Sequence, residues 1–227
     1  MTAVLERSGV AVGDAAVGVL KAKALWTAVS DALNFAASPA ALVPILESVR
    51  IESDGTSLVA VATDRFTLGV SRVDCSGEPF AVTVSAEDAR NLVRMARTGK
   101  SAQGWREVTV SASDQGAEFR FSSGESMAVR GRAEEFPRWR QLIPGDDKAM
   151  GAGVGVGVGF DPVLLAKFGK VRAEERGRRM VLLPTMPHPG RPGPAVVQIG
   201  PDFIGVIMPV RAPGGTEIYD PPAWLYR

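Results

Sequence analysis

The residues of this chain that could perform nucleophilic or metal chemistry are few and isolated. The sequence holds one histidine, His188, and one cysteine, Cys75. A Ser-His or Cys-His pair needs the histidine beside its nucleophile, but His188 stands between prolines in a predicted surface loop. One histidine and one cysteine also cannot supply a usual zinc-ligand set. We therefore expect no catalytic residue, metal site or cofactor, and interpret the chain as a binding protein that is not an enzyme.

Two further segments have alternative interpretations. Asp64 beside Arg65 could act as an acid or base, but an aspartate between two predicted strands is more often a turn residue that accepts backbone amides. The glycines of residues 153–159 could cradle a phosphate, yet they alternate strictly with valine and match neither dinucleotide nor P-loop spacing. We predict a turn at Asp64 and a strand in the Gly-Val segment.

The composition is that of a folded protein without a membrane anchor. The 227 residues are 45% hydrophobic and 22% charged, which is ordinary for a chain that buries a core. No apolar run is long enough to span a bilayer, and the N-terminus does not resemble a signal peptide. The single cysteine excludes an internal disulfide, so we expect a cytoplasmic protein. Since the net charge is only +1, any contact with DNA must come from charge placement.

Three similar blocks follow one another along the chain. Each begins with a predicted strand, continues with an amphipathic helix and ends with antiparallel strands. The apolar face of the first helix extends from Leu25 to Ala36, Ser85 caps the second helix, and Asp161-Pro162 begins the third. The predicted strands are residues 17–20, 45–51, 58–63 and 66–73, then 80–84, 108–110, 119–121 and 127–129, then 154–158, 180–183, 195–199 and 203–210.

These units predict an α+β fold in which helices cover one face of the sheets. Each unit alone would expose the apolar face of its sheet, so the units must stack helix to helix and sheet to sheet. The predicted segments are an N-terminal extension (1–16), a domain of two units (17–145, with units 17–76 and 79–145), a linker (146–153), a third unit (154–211) and an extended tail (212–227).

Four short segments, in order along the chain, resemble bacterial beta-type DNA sliding clamps, the DNA polymerase III beta subunit family. Residues 58–68, LVAVATDRFTL, are similar to the family's middle domain, and the similarity begins at Leu46. Residues 136–144, FPRWRQLIP, are similar to the segment that links its middle and last domains. Residues 159–164, GFDPVL, and 206–211, VIMPVR, are similar to parts of its last domain. Together they cover most of the chain between residues 17 and 211.

The resemblance implies a DNA-clamp fold whose subunits close a ring around duplex DNA, with helices facing the hole. Basic side chains near the phosphates would hold the ring without reading the sequence. Arg90, Arg94 and Arg97 are spaced to share one helix face. Without the resemblance, these basic residues would be interpreted as an ordinary solvated surface. The DNA-facing candidates are Lys21, Lys23, Arg90, Arg94, Arg97, Lys100, Lys167, Lys170 and Arg172.

The resemblance also implies a hydrophobic cleft that docks polymerase and other replication or repair proteins through short peptides. Aliphatic and sulfur-containing side chains suit such a pocket. Each apolar member alone would be interpreted as a core residue. The residues that match the family's cleft are Leu46, Thr63, Arg65, Phe66, Thr67, Leu68, Pro137, Gln141, Leu142, Asp161, Leu164, Val197, Met208, Pro209, Val210 and Arg211.

This sequence departs from the family in its cleft and in its number of units. Gln141 stands where the family commonly has arginine, Leu164 where an aromatic residue is frequent, and Asp161 where asparagine is usual. The family's chain has six units, whereas three are predicted here. If a ring needs twelve units, four chains would close it, with third units pairing between chains. A dimer or trimer with different closure is the alternative.

The resemblance further implies a clamp loader as a partner and an association with the nucleoid. A rival interpretation is a clamp-like adaptor or decoy that keeps the peptide cleft but encircles nothing. The arginines of the helices favour the clamp, and competition between circular and linear DNA would discriminate between the two.

Overall fold

The chain forms helices and antiparallel strands in the part that the structure describes. This computed structural model describes residues 16–97, 105–113, 115–144, 158–172, 179–187 and 192–210. The first unit contains β1 (Ala16–Lys21), α1 (Ala22–Leu33), β2 (Ser48–Ser53), β3 (Ser57–Thr63) and β4 (Thr67–Asp74). A short strand β5 (Ser76–Gly77) precedes the second unit, which contains β6 (Phe80–Ser85), α2 (Ala86–Ala96), β7 (Glu107–Ser113), β8 (Gly116–Phe121) and β9 (Ser126–Arg130). The third unit contains α3 (Pro162–Phe168), β10 (Met180–Leu183), β11 (Ala195–Ile199) and β12 (Phe203–Ile207).

The helix caps follow the sequence. Ser85 Oγ accepts a hydrogen bond from the Asp88 amide at the start of α2. Asp161 Oδ1 accepts one from the Val163 amide at the start of α3. Each cap satisfies an amide that has no partner inside its own helix, so both helices begin where predicted.

Two boundaries in the first unit differ from the prediction by three residues. Helix α1 ends at Leu33, not at Ala36, because the Asn34 side-chain amide donates to two carbonyls of the last turn. Strand β2 begins at Ser48, not at residue 45, because Pro44–Leu46 form a 3-10 helix. Proline has a fixed φ and no amide to donate, so it begins a helical turn readily.

The third unit differs from the prediction at its last strand. Strand β12 ends at Ile207, three residues before the predicted end, and Pro209 has no amide to continue the ladder. The predicted strand before α3 lies largely outside the described residues, including Val154 and Val156. Gly159, which directly follows it, forms an isolated antiparallel bridge with Val210. The linker at 146–153, the tail at 212–227 and His188 also lie outside, so the predicted domain boundaries stay predictions.

The first two units exchange their leading strands. β1 pairs with β7 of the second unit, and β6 pairs with β2 of the first. Both pairs of strands have the same register. In each pair, the residue before the helix lies opposite the first residue of the other unit's strand: Lys21 opposite Glu107, and Ser85 opposite Ser48. The two units are therefore related by a pseudo-two-fold axis and share their sheets.

The third unit joins the first edge to edge, which differs from the predicted stacking of sheets. β12 pairs with β4, which completes a seven-stranded sheet in the order β10-β11-β12-β4-β3-β2-β6, beside a five-stranded sheet in the order β5-β1-β7-β8-β9. Gly205 lies opposite Gly69 in this pair. A Cβ on Gly69 would lie 2.1 Å from Phe35 Cδ2, and one on Gly205 would lie 2.5 Å from Phe168 Cε1. The two glycines make room for these rings, whose centroids are 4.9 Å apart.

Two apolar clusters lie on opposite faces of the seven-stranded sheet, as the alternation of strand side chains requires. The larger cluster joins all three helices to both sheets, and we call its side of the sheet the inner face. The smaller cluster lies on what we call the outer face and consists of Val61, Leu68, Val70, Phe136, Trp139 and Val206. None of the helices in the described ranges is long and apolar enough to cross a membrane.

Candidate functional site

The turn between β3 and β4 is held by one carboxylate. Asp64 Oδ1 accepts hydrogen bonds from the amides of Phe66 and Thr67 at 3.0 and 2.7 Å, and from Thr67 Oγ1 at 2.8 Å. Arg65 has a φ of 79°, in the left-handed region that non-glycine residues seldom adopt. The turn leaves 58% of Phe66 exposed. Asp64 is thus the predicted turn residue, and it fixes where the Phe66 ring is presented.

The second carboxylate oxygen of Asp64 reaches the third unit. Lys167 Nζ on α3 lies 2.5 Å from Asp64 Oδ2, and the two side chains are 19% and 13% exposed. Burial by itself would raise the pKa of Asp64, but the hydrogen bonds from Lys167 and Thr67 outweigh it and lower the pKa below its usual value. This ion pair therefore ties the β3–β4 turn to α3 while both groups are charged.

Strand pairing brings two distant parts of the predicted cleft together. Leu68 faces Val206 across the β4–β12 pair, and the Met208 amide donates to the Phe66 carbonyl at 2.8 Å. Phe66 and Met208 are therefore neighbours at the end of the sheet, 58% and 39% exposed. Val210, 44% exposed, follows at the bridge to Gly159. The result is an apolar surface built by the first and third units, which we call the Phe66 surface (Phe66, Met208 and Val210).

The segment after β9 covers the outer face beside this surface. Phe136 and Trp139 are buried in the smaller cluster, while Leu142 remains 48% exposed. The Arg140 guanidinium lies 4.1 Å from the centre of the Trp139 ring and forms an ion pair with Glu52 at 2.9 Å. These contacts hold the segment on the sheet, so that Leu142 is presented from a fixed backbone.

Glu52 is the ionic anchor of that segment. Its carboxylate is bound by Arg140 and by Arg50, whose Nε lies 3.1 Å away. Burial raises the pKa of Glu52, but the hydrogen bonds from the two guanidinium groups outweigh it and the pKa is lowered overall. The carboxylate therefore stays ionised at neutral pH and keeps both arginines in place.

The predicted cleft residues divide between exposed and buried positions. The exposed ones are Arg65, Phe66, Gln141, Leu142, Met208 and Val210; the half-buried ones are Pro137, Asp161, Leu164 and Pro209; and the buried ones are Leu46, Thr63, Thr67, Leu68 and Val197. Arg211 lies outside the described residues.

The sheet places some members of this set on opposite faces. Val197 is fully buried in the larger cluster on the inner face, and Leu164 packs against that cluster. Leu68 belongs to the smaller cluster on the outer face. In this structure Val197 is a core residue, because its side chain has no surface that a ligand on the outer face could touch. Contact of the exposed members with a ligand stays a prediction.

Sequence reasoning missed two features of this region. It placed Lys167 among the DNA-facing residues, whereas its ammonium group is bound to Asp64, 103 residues away in sequence. No sequence pattern could have found this contact, because only the fold brings the two residues together. It also passed over Val163, which is 72% exposed next to Asp161. Its position off the apolar stripe of α3 was an available signal.

The predicted DNA-facing residues are mostly at the surface. Lys21, Lys23, Arg90, Arg94, Arg97, Lys170 and Arg172 are exposed, Lys167 is half-buried, and Lys100 lies outside the described residues. Lys21 forms an ion pair with Glu107 at 2.7 Å. Arg172 is held in place, since its amide donates to Asp31 Oδ1 and its guanidinium lies 4.6 Å from the centre of the Trp26 ring.

A shallow cavity of about 400 Å³ shows that the three helix regions share one side of the molecule. The residues that line it come from α1, α2 and the segment after α3; they are Ser30, Leu33, Asn34, Val93, Lys170 and Arg172. Two of these side chains are cationic and two are neutral hydrogen-bonding groups. Such a lining suits an anion better than an apolar ligand. The described residues contain no group of three or more His, Cys, Asp or Glu side chains that could hold a metal ion.

Solved structures match this architecture over nearly the whole chain. The DNA polymerase III beta subunit of Thermotoga maritima superposes with a TM-score of 0.66 at 13% identity, over 94% of this chain and 70% of that one. The beta subunit of Pseudomonas aeruginosa gives 0.60 at 16% identity, over 91% and 69%. The DNA polymerase sliding clamp of Bacillus subtilis gives 0.65 at 12% identity, over 92% and 67%. No family model matches the sequence.

The chain has the fold of a bacterial sliding clamp. The resemblance inferred from four short segments is thereby confirmed at the level of the fold, and so is the predicted α+β class with helices on one face of the sheets. The match extends over all three units, including the third, which joins by its sheet edge. At identities of 12 and 13% the likeness concerns the backbone, so the surface chemistry must be argued from this chain's own residues.

Proposed function

We propose that this chain is a DNA sliding clamp, a processivity factor without enzymatic activity. Copies of the chain close a ring around duplex DNA, and the ring docks polymerase and other replication or repair proteins through short peptides. The observation that carries the proposal is the clamp fold with exposed cations on its helices, namely Arg90 and Arg94 on α2 and Lys170 and Arg172 after α3.

The mechanism needs no reactive group. Arginine and lysine side chains attract the phosphates of any sequence, because their contacts are electrostatic and do not involve the base edges. The ring stays on the DNA through topology, so individual contacts can remain weak and exchange rapidly. Neutral groups near the cations, such as Ser30 and Asn34, can form hydrogen bonds with the DNA without adding to the electrostatic attraction.

Peptide docking is proposed for the Phe66 surface together with Leu142. These side chains are large, apolar and exposed, and the backbone that presents them is fixed by Asp64 and by the Arg140–Glu52 pair. A pre-formed apolar site with nearby polar groups is the usual setting for a short linear peptide. The unusual Gln141 and Asp161 beside it would alter peptide preference relative to other clamps.

Assembly and loading complete the proposal. With three units in each chain, four chains supply the twelve units of a full ring, and a dimer or trimer with different closure is the alternative. A closed ring needs a clamp loader to open it, and its place of action would be the nucleoid. The further partners are the duplex and proteins that carry clamp-binding peptides.

The decisive experiment compares circular with linear DNA. The chain is incubated with a nicked plasmid, a bacterial clamp loader and ATP, the mixture is passed over a sizing column at moderate salt, and the protein that elutes with DNA is measured. We expect retention on the circle, loss when a restriction enzyme cuts the DNA, and recovery when both ends are blocked with bound streptavidin. Equal retention on circular and open linear DNA would show that the protein binds DNA without encircling it.

A clamp-like adaptor is the second candidate, and one observation favours it. Lys21 and Lys167 are engaged with Glu107 and Asp64, which leaves fewer cations for a duplex than the sequence indicates. The Phe66 surface, in contrast, lies within one chain. Peptide binding by a chain that is retained on neither form of DNA would establish the adaptor.

A further inference from the structure

The exchange of strands between the first two units is a template for how the third unit's open sheet edge would be covered. Besides the shared strand register, the two joins repeat the same hydrogen bond. The Ala22 amide donates to the Arg106 carbonyl at 2.8 Å, and the Ala86 amide donates to the Glu47 carbonyl at 2.9 Å. In each unit, the strand that follows the helix thus receives the leading strand of the other unit. This reciprocal exchange is how the fold covers a unit's open sheet edge.

In the third unit, β10 occupies the position of the strand that receives a partner. It follows α3 as β2 follows α1 and as β7 follows α2. β2 is paired with β6, and β7 is paired with β1, but β10 is the end of its sheet among the residues that the structure describes. The template therefore predicts that another unit of the same kind belongs beside β10.

The chemistry of β10 agrees with a covered edge. The strand has the sequence MVLL, and Met180, Val181 and Leu183 are 45%, 47% and 42% exposed. Neighbours in a strand point to opposite faces, so apolar side chains are exposed on both faces of this edge. Edge strands that stay in water usually carry charges, prolines or bulges that prevent pairing, and β10 has none of these.

The helix side of the same unit is also open. A shallow cavity of about 400 Å³ lies between α3 and the sheet. Its lining is apolar and comes from α3, β10 and β11; the residues are Pro162, Leu165, Ala166, Phe168, Gly169, Met180 and Ile199. In the first two units the corresponding region is filled, because α1 and α2 pack against each other in the larger cluster.

We propose that a second copy of this chain covers the third unit, third unit against third unit about a two-fold axis. The two α3 helices then pack together, and each β10 edge is covered by the partner. The occupant is a second copy because the internal template relates two like units by a pseudo-two-fold axis. A true two-fold axis makes one patch complementary to itself. This contact is one of those that the proposed ring needs, and to that extent it rests on the proposed function.

The first test measures association in the absence of DNA. Sedimentation velocity of the full chain, which has a mass of 24.0 kDa, should show a dimer or a larger even-numbered species. Val181→Asp places a charge on the edge and should raise the dissociation constant of the pair by about 100-fold or more. Leu42→Asp is the matched control, because Leu42 is 85% exposed and lies in the connection between α1 and β2, outside the third unit. An equal effect of both variants, or none of either, overturns the proposal.

Hydrogen exchange on the unaltered chain provides a second test that does not depend on the folding of a variant. Protection of the β10 amides should rise with protein concentration, while amides of β9, the edge of the other sheet, should not change. If the β10 amides are protected at every concentration, the strand is covered by its own chain. If they are unprotected at every concentration, nothing covers the edge. Either result overturns the proposal. If the chains pair through β10 but are not retained on circular DNA, this inference holds and the proposed ring around DNA does not.

Discussion

At the scale of single residues, Asp64 links two parts of the molecule that carry different proposed roles. One carboxylate oxygen builds the turn that presents Phe66, and the other binds Lys167 on α3. A similar turn lies between β2 and β3, where Asp54 accepts hydrogen bonds from the amides of Thr56 and Ser57. Asp54 forms no ion pair among the described contacts of that turn. Comparing variants of the two aspartates therefore separates what the turn contributes to stability from what the ion pair with α3 contributes.

Asp64→Asn should destabilise the protein more than Asp54→Asn does. The side-chain carbonyl oxygen of asparagine can still accept the hydrogen bonds of the backbone amides, but the Lys167 ammonium group is left half-buried without its counter-charge, at a cost of about 1–3 kcal/mol. Urea unfolding of both variants and the unaltered protein at pH 7 measures the difference. If Asp64→Asn is no worse than Asp54→Asn, the ion pair contributes nothing to stability.

The same variant predicts a pH dependence. The hydrogen bonds to Asp64 lower its pKa in the folded protein below the unfolded value of about 3.9. A carboxyl group with a lowered folded pKa stabilises the fold above the unfolded pKa, and this stability is lost as the pH falls through the folded pKa. The stability difference between the unaltered protein and Asp64→Asn should therefore be constant from pH 7 to pH 5 and shrink below pH 4. A constant difference down to pH 3 would contradict it.

At the scale of elements, local signals in the sequence predict most helices and strands, and long-range pairing explains the misses. Ser85 and Asp161-Pro162 mark helix starts correctly, because capping depends only on neighbours in sequence. The 3-10 helix before β2 was missed because the apolar residues at 45, 49 and 51 suggested a strand that begins directly after Pro44. The strand exchange could not be predicted, since nothing local to β1 or β6 specifies which strand it will join.

The join between the first and third units depends on Gly205 having no side chain. A Cβ there would lie 2.5 Å from a ring atom of Phe168 and 2.8 Å from the Leu68 carbonyl oxygen. Both neighbours are buried and cannot move aside, so Gly205→Ala should destabilise the protein by about 1–3 kcal/mol through overpacking. Gly131→Ala is the control, because a Cβ there would meet only ordinary contacts at 3.4 Å.

A double-mutant cycle identifies the cause. Adding Phe168→Leu removes the ring that the new methyl group meets, so the combined loss of stability should be smaller than the sum of the two single losses. Thermal unfolding of the four proteins provides the comparison. Additive losses would mean that Gly205→Ala acts on the backbone and not through Phe168.

At the scale of the whole molecule, the two proposed activities lie on different parts of the fold. The Phe66 surface is at the end of the seven-stranded sheet beside its outer face, whereas the exposed cations are on the helices that cover the inner face. The resemblance predicted both regions from the sequence. It could not separate core from surface within them, because Val197 and Met208 are equally apolar and only the fold buries the first and exposes the second.

This separation predicts that each activity can be removed without the other. Arg90→Gln with Arg94→Gln should reduce the slope of log affinity against log salt for a short duplex by up to about 2, since each lost phosphate contact removes about 0.9. Arg120→Gln is the matched control, because Arg120 is an exposed arginine on β8, away from the helices, where it contacts Glu118.

Phe66→Ser with Met208→Ser should weaken binding of a labelled clamp-binding peptide from a bacterial polymerase at least about tenfold, because two anchors of the pocket are lost. Each double variant should retain the activity that the other loses. Loss of both activities in either variant, with the fold intact by circular dichroism, would mean that DNA and peptide share one surface.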